Sequence, residues 1–389
     1  MKRKIRLLSC VLILCLCPLV LAACGASTAP THEKDITEAF GAIRINIDGA
    51  SNDANVTILP AANGITRVEG ALRRGRTLTC EVVDGVLTVK VEDTRPRWMR
   101  LFSRRSSLNV YLGGSAYGNL SVAGGTGDVT VGEGLAFGDI AIDASTGDVS
   151  LSTVTANALT VDLSTGDVAL SDVNISGDVK ITQSTGEIEI GGLTAKNITL
   201  TGRTGALTLS DITALGAVSI LRTTGDVTGS NMAASALTAE TDTGDVSFSD
   251  VISTGAVTVA TTSGESKHRG VLAASFTATA DTGAVSLTDA TVTGDGSVKT
   301  STGDVTLSDA LFGGTVKVRA STGDVALDRA DAAELDIETS TGSVKGTLRS
   351  EKVFIVRSSS GRVNAPETTS GGKCKVVTST GSIDLSIAE

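Results

Sequence analysis

Leu159-Thr160-Val161-Asp162-Leu163-Ser164-Thr165-Gly166-Asp167-Val168-Ala169-Leu170-Ser171-Asp172-Val173 is the stretch that decides the fold. It returns in the next coil as Val179-Lys180-Ile181-Thr182-Gln183-Ser184-Thr185-Gly186-Glu187-Ile188-Glu189-Ile190. The central glycine recurs at Gly127, Gly147, Gly166, Gly186, Gly205, Gly225, Gly244, Gly264, Gly283, Gly303, Gly323, Gly342, Gly361 and Gly381, in steps of 19 or 20 residues. A fixed period of this length means one structural unit stacked on itself, not a closed globule.

Positions counted from each glycine carry the physics. Seven and five before it stand Leu159 and Val161, then Val179 and Ile181; two and four after it stand Val168 and Leu170, then Ile188 and Ile190. Apolar, mostly β-branched residues spaced by two mark short strands with one buried face. The glycine between them reads as a tight turn that needs positive φ. A further inward position falls seven after, at Val154, Val173, Leu193 and Ile212. The expected fold is all-β: a parallel β-solenoid (β-helix) of about 14 coils around three short walls, with about five inward side chains per coil. At a strand spacing of roughly 4.8 Å the rod should be about 65 Å long.

Upstream, Lys2, Arg3, Lys4 and Arg6 precede an apolar run from Leu7 to Leu21, which ends in Leu21-Ala22-Ala23-Cys24-Gly25. This reads as a bacterial lipoprotein signal over residues 1–23, with Cys24 as the lipidated (palmitate-bearing) first residue of the mature chain. Residues 24–39 would be a lipidated tether, 40–118 a smaller β-rich cap region, and 119–389 the solenoid. Removal of the four signal cations takes the net charge from −10 to −14. Such a charge argues against nucleic acid as a partner. Of the six cysteines, Cys80 and Cys374 remain, and Cys374 occupies an inward position.

Within the cap region, Leu78, Cys80 and Val82 face Val86, Thr88 and Lys90 across Asp84-Gly85, a hairpin signal. Its basic-aromatic cluster contains Arg95, Arg97, Trp98, Arg100, Phe102, Arg104 and Arg105. Two readings stand: docking on lipid headgroups or an anionic envelope polymer, or a loop whose Trp packs inward while its arginines stay solvated.

Chemistry-bearing motifs are sparse. There are two histidines, and no phosphate loop, metal-spaced Cys/His cluster or Gly-x-Ser-x-Gly is present. The even coil length leaves no insertion to wall off a catalytic cleft, so the expectation is a non-enzyme. One coil is irregular: Glu265-Ser266-Lys267-His268-Arg269 places Ser266 and His268 where other coils have Val and Leu. It is either a local binding spot or a tolerated defect. The residue after the glycine is acidic in nine of the fourteen coils, beginning Asp128, Asp148, Asp167 and Glu187. Carboxylates stacked about 5 Å apart repel by on the order of 1 kcal/mol per pair in water. Either they accept backbone N–H groups in their own turns, or they form a divalent-cation ladder for calcium. Thr-x-Thr pairs such as Thr241/Thr243 and Thr300/Thr302 also raise ice binding, although Leu163, Gln183 and Arg222 interrupt the row.

Val110-Tyr111-Leu112, Leu120-Ser121-Val122 and Gly125-Thr126-Gly127-Asp128-Val129-Thr130-Val131, with the repeats after them, resemble a bacterial family called putative adhesins, cell-surface β-solenoid domains of unknown function. The likeness spans roughly residues 40–389; Gly113-Gly114 stands where the family often has a proline. The resemblance implies a surface-exposed binding module and transfers no catalytic residue. The expected function is a lipid-anchored, non-catalytic adhesin-like or spacer module on the extracytoplasmic face of a bacterial cell membrane. Its expected partners are the membrane, through the lipid, and an envelope polymer or surface protein. The alternative is an envelope-stress accessory protein that senses anionic membrane or polymer through the Arg95–Arg105 segment. The last strand, around Ile383, Leu385 and Ile387, lacks an obvious cap, which raises end-to-end self-association.

Overall fold

The computed structural model describes residues 32–47, 54–72, 75–93 and 106–388. Every regular element among them is a strand, and the strands join into one continuous sheet wound as a solenoid. The amino-terminal strands are β1 (His32–Asp35), β2 (Ala42–Ile47), β3 (Ala54–Pro60), β4 (Arg67–Ala71), β5 (Arg76–Val83), β6 (Val86–Asp93), β7 (Ser106–Leu112), β8 (Leu120–Thr126) and β9 (Val129–Val131). The regular coils run from β10 (Asp139–Thr146) to β28 (Val305–Thr322). β29 (Val325–Thr341), β30 (Val344–Leu348), β31 (Lys352–Ser358), β32 (Val363–Asn364), β33 (Gly372–Thr380) and β34 (Ile383–Ile387) close the chain.

Successive coils pair in parallel and in register, so like stacks on like: Ile140 on Leu159 on Val179, and Val149 on Val168 on Ile188. Seven side chains per coil face inward rather than five. In one coil these are Leu159, Val161, Leu163, Val168, Leu170, Val173 and Ile175, none more than 3% exposed. The two additional positions arise because alternation continues one step further along each strand before the backbone turns. Burying each aliphatic side chain contributes about 1.5–3 kcal/mol before chain entropy is set against it. A second corner, six residues after the glycine, is left-handed in coil after coil: φ is 53° at Asp172, 55° at Asp211, 52° at Asn231 and 72° at Gly192. Asp, Asn and Gly tolerate that region best, which explains the recurring Ser-Asp and Gly-Gly pairs.

The turn glycines are fixed by packing as well as by φ. Gly166 has φ 135°, and a Cβ there would lie 2.0 Å from the Gly147 carbonyl oxygen. The same contact recurs at Gly186 and Gly225, each 2.0 Å from the glycine one rung back. Elsewhere, inward glycines make room for a large neighbour. A Cβ on Gly202 would meet the Arg222 guanidinium at 1.7 Å, and one on Gly229 would meet the Phe248 ring at 2.7 Å. These large-small pairs distinguish rungs that are otherwise nearly interchangeable.

The ends do not stack in sequence order. β2 pairs in parallel with both β6 and β8, and β3 with both β7 and β9. The first rung of the chain is therefore the second in space. The outer rung, β6 and β7, is covered by antiparallel β5 and β4, with β1 on β4. The β5–β6 hairpin turns at Asp84-Gly85, both at positive φ as a two-residue hairpin requires. The expected register is corrected by one residue: Leu78, Cys80 and Val82 stand opposite Val91, Val89 and Leu87, not Lys90, Thr88 and Val86, because both turn residues lie in the loop and Val83 pairs with Val86. At the other end β33 lies between β29 and β31, and β34 between β30 and β32. The expectation that Ile383, Leu385 and Ile387 form the bare end is therefore corrected: β34 is paired on both sides, and the outermost rung is β31 and β32. Cys374 is buried in the core, as its spacing predicts, and both Cys80 and Cys374 are free thiols.

Gly166→Ala combines a Gly-only φ with a backbone clash, and should cost about 3 kcal/mol. Gly41→Ala, where a Cβ meets nothing within 4 Å, should be nearly neutral. Urea unfolding of the two variants checks this; equal losses would show that the glycine column is not the constraint.

Candidate binding surface

The acidic row is built on the turn column. The backbone N–H of Asp148 donates to Oδ1 of Asp128 (3.1 Å), that of Asp167 to Asp148 (2.9 Å), and that of Glu187 to Asp167 (2.8 Å). The pattern resumes as Asp245 on Asp226, Glu265 on Asp245 and Asp324 on Asp304. Each aspartate of the row thus satisfies the turn of the next rung, not its own turn, whereas the Glu265 carboxylate pairs with Lys267. The reason is geometric: the parallel stack places the following rung's N–H directly over the carboxylate. Asn55 of β3 continues the row through the intercalated rung, exchanging hydrogen bonds with Asp128. This exchange also offsets the like-charge repulsion, because each aspartate carboxylate is held against an N–H dipole. Among the described residues, no group of three or more His, Cys, Asp or Glu is gathered for a metal ion.

The first Thr of the Thr-x-Thr pairs faces inward instead of lying on a surface lattice. Thr241, Thr300, Thr339 and Thr378 are buried. The hydroxyls of Thr300, Thr339 and Thr378 donate to turn carbonyls of Gly283 (3.1 Å), Gly323 (3.2 Å) and Gly342 (2.9 Å). Arg222 occupies the same interior column. Its Nη2 donates to Gly205 O (2.6 Å) and Ala206 O (2.9 Å), while Nε and Nη1 have no partner. Burial holds its pKa below the ordinary guanidinium value.

The irregular coil turns its two unusual residues inward. Ser266 and His268 are buried, with Ser266 Oγ 2.7 Å from His268 Nε2. The His268 ring stacks on Phe248 at 5.6 Å and meets Phe276 edge-on at 5.4 Å. Burial pushes its pKa down to about 3, so the imidazole is neutral. Outside, Lys267 pairs with Glu265, and Arg269 with Asp289 at 3.2 Å. The Ser-His pair has the composition of a nucleophile and base, but its burial within the aliphatic stack gives a substrate no approach.

Cys24 and the Arg95, Arg97, Trp98, Arg100, Phe102, Arg104, Arg105 cluster lie outside the described residues. The stems of the latter segment are described. Asp93 ends β6 and Ser106 begins β7, and buried Arg76 reaches both: Nη1 donates to Ser106 Oγ (2.7 Å) and Nε lies 3.7 Å from Asp93. The sequence alone does not single out Arg76. At the same end, Phe40, Tyr117 and Phe137 stack with centroids 5.5 and 6.3 Å apart. Beside them is an open depression of about 570 Å³ lined by Ile36, Phe40, Ile65, Thr66, Gly113 and Tyr117. Its signal in the sequence is faint: three aromatics far apart in a chain with few of them. Toward the other end the exterior carries mixed charge, with Arg319 and Lys375 against Asp336 and Glu338.

Residues 43–228, 202–311 and 273–389 match the Toastrack DUF4097 family, and the chain belongs to it. Comparison with curated proteins gives no match. Solved structures give distant similarities. One is a putative adhesin from Bacteroides fragilis NCTC 9343, with 14% identity over 92% of this chain and 96% of that one, TM-score 0.31. Another is a putative cell adhesion protein from Clostridium sporogenes ATCC 15579, with 12% identity over 44% and 99%, TM-score 0.25. A third is a putative adhesin from Parabacteroides merdae ATCC 43184, with 11% identity over 81% and 95%, TM-score 0.17.

Two outcomes follow from these contacts. Asp167→Ala removes an acceptor from the Glu187 N–H and should cost about 1 kcal/mol, whereas Asp167→Asn keeps an acceptor and should cost less than half of that. Urea titrations with and without chelator read both values; an equal loss in the two variants, or a chelator effect, would point to charge or cation binding instead. For His268, the unfolded chain takes up a proton near the ordinary value of 6.5 and the folded chain only near 3. Between those values the unfolded state holds more protons, so stability falls as pH falls, by at most about 1.4 kcal/mol per pH unit. His268→Leu, which restores the residue type of the neighbouring coil, should lack this component. Unfolding curves of both proteins between pH 7 and pH 4 should diverge in that direction, and parallel curves would refute it.

Proposed function

We propose that this toastrack chain is a lipid-anchored, surface-displayed, non-catalytic module that binds or spaces components of a bacterial cell envelope. The reading is supported above all by one observation: from β8 onward the turn aspartates, the inward hydroxyls and the Ser266–His268 pair are taken up by the stack itself. The carboxylates hold neighbouring turns, the inward hydroxyls hold turn carbonyls, and the Ser266–His268 pair is sealed in the core. What the exterior offers is a long, regular and largely polar set of faces. Such faces suit repeated shallow contacts with a polymer or a surface protein rather than turnover of a small molecule. Cys24 supplies the anchor in this reading, on the extracytoplasmic face.

A second reading has an observation in its favour. Residues 94–105 join the ends of β6 and β7, the outer rung of the end at which the chain enters the stack, and Arg76 holds both stems. Five arginines at that position would lie close to a lipid-anchored membrane, in keeping with an envelope-stress accessory protein that senses an anionic surface. The two readings separate in one experiment. Chain beginning at residue 25, with Arg95, Arg97, Arg100, Arg104 and Arg105 either kept or replaced by Gln, is tested on phosphatidylglycerol vesicles and on cell-envelope fractions. Retention on envelope fractions that survives the replacements supports the surface-binding module. Vesicle binding lost on replacement, with no envelope retention left, supports the membrane sensor.

A further inference from the structure

Among the described residues, the carboxy-terminal end of the stack lacks the antiparallel covering strands of the amino-terminal end. β31 is hydrogen-bonded to β33 along one edge, and no strand among the described residues lies on its other edge. At its start the Thr368 hydroxyl donates to Lys352 O and the Ser370 hydroxyl to the Glu351 carboxylate, and both contacts give way when a second strand pairs there. The amino-terminal end, by contrast, is closed by three antiparallel strands. An open, regular edge strand is a template for another strand.

The outward face of β31 and the residue before it reads Glu351, Val353, Ile355, Arg357. Val353 is 38% exposed and Ile355 51%. One rung inward the positions matching Val353 and Ile355 are Lys373 and Lys375, and Asp336 lies beyond Lys375. The apolar pair is thus peculiar to the terminal rung. The order acid, apolar, apolar, base is also self-complementary when reversed. In an antiparallel pair centred on Phe354, Glu351 faces Arg357 of a second copy, and Val353 faces Ile355. Both matches occur twice by symmetry. Opposite charges and apolar pairs placed directly across an antiparallel ladder each stabilise it, and a two-fold interface requires this kind of self-match. Phe354, which is only partly buried against the core, would be covered by its counterpart.

We infer that β31 is a homophilic interface: two copies of this chain join tail to tail through antiparallel β31–β31 pairing, with the amino-terminal ends pointing away from each other. The occupant is a second copy rather than an unrelated strand because the complementarity is encoded within the strand itself. In a surface-displayed rod this places the self-association site at the end remote from the chain start, where molecules on opposed surfaces meet.

Sedimentation velocity of the full chain in mild detergent, across a range of protein concentrations, tests this. The wild-type chain should show a reversible monomer–dimer equilibrium. Ile355→Lys, at an exposed position, should be monomeric with unchanged circular dichroism. Glu351→Arg and Arg357→Glu should each raise the dissociation constant about tenfold, since each replaces two attractive pairs by like charges. The double variant should return to near the wild-type value, because it restores the pairs in reverse. A monomeric wild-type chain overturns the proposal. So does a dimer that persists in Ile355→Lys, which would place the interface elsewhere. Single variants that weaken the dimer without rescue in the double variant exclude the antiparallel register.

Discussion

Each turn glycine presents its carbonyl oxygen to the space that a side chain would occupy on the next rung. At Gly166 and Gly186 that space is closed to within 2.0 Å. The column therefore admits glycine alone, and it fixes three other features. Rungs must stack in register, because a shift would put a Cβ against a carbonyl. The residue after each glycine must stand over its counterpart, which creates the row of carboxylates holding N–H groups. The aliphatic positions are carried into alignment, so that every rung covers the core of the one before. The hydrophobic contribution is far larger in sum, but it is non-directional and would tolerate other registers. The glycine contact specifies the geometry within which it acts.

Polar chemistry is drawn into this scheme rather than displayed by it. The interior column beside the turns carries Thr, Gln183 and Arg222, and these donate to carbonyl oxygens that the tight turn leaves pointing inward. Arg222 is the extreme case, a buried cation facing carbonyl oxygens with Gly202 making room for it. Such a group is costly to bury and gains its value from specificity: it fits one rung and no other. Gly229 with Phe248 does the same by volume. A stack of near-identical coils can slip by a whole coil without losing its inward pattern, and these pairs remove that degeneracy.

The two ends share a device. In both, a pair of strands near the chain end, β2 with β3 and β33 with β34, is threaded one rung inward and bonded on both sides. Neither pair can then fray without breaking two ladders. The amino-terminal end adds antiparallel covering strands and a buried Arg76 that ties the stems of the arginine-rich segment. The carboxy-terminal end adds nothing comparable, and leaves β31 with an edge and an apolar outer face.

The period, the parallel all-β solenoid, the turn glycines, the Asp84-Gly85 hairpin and the inward placement of Cys374 were all legible in the chain. They are local properties, set by alternation of two and by φ preferences that residue types carry with them. The destination of the carboxylates was half legible: capping followed from residue type, but the partner one rung away depended on stacking. Thr241 could not be placed as an interior group, because side-chain direction near a turn depends on where the strand ends. His268 stood at an inward position in the sequence, but whether it opened the wall or was sealed in depended on the Phe248 and Phe276 rings that enclose it. Least visible was the order of the rungs. β2, β6, β31 and β33 carry the same alternation as every other strand, so sequence assigns them all to the stack and ranks none. Only the tertiary structure, by satisfying both edges of β2 and β33 and one edge of β31, determines which rung is last.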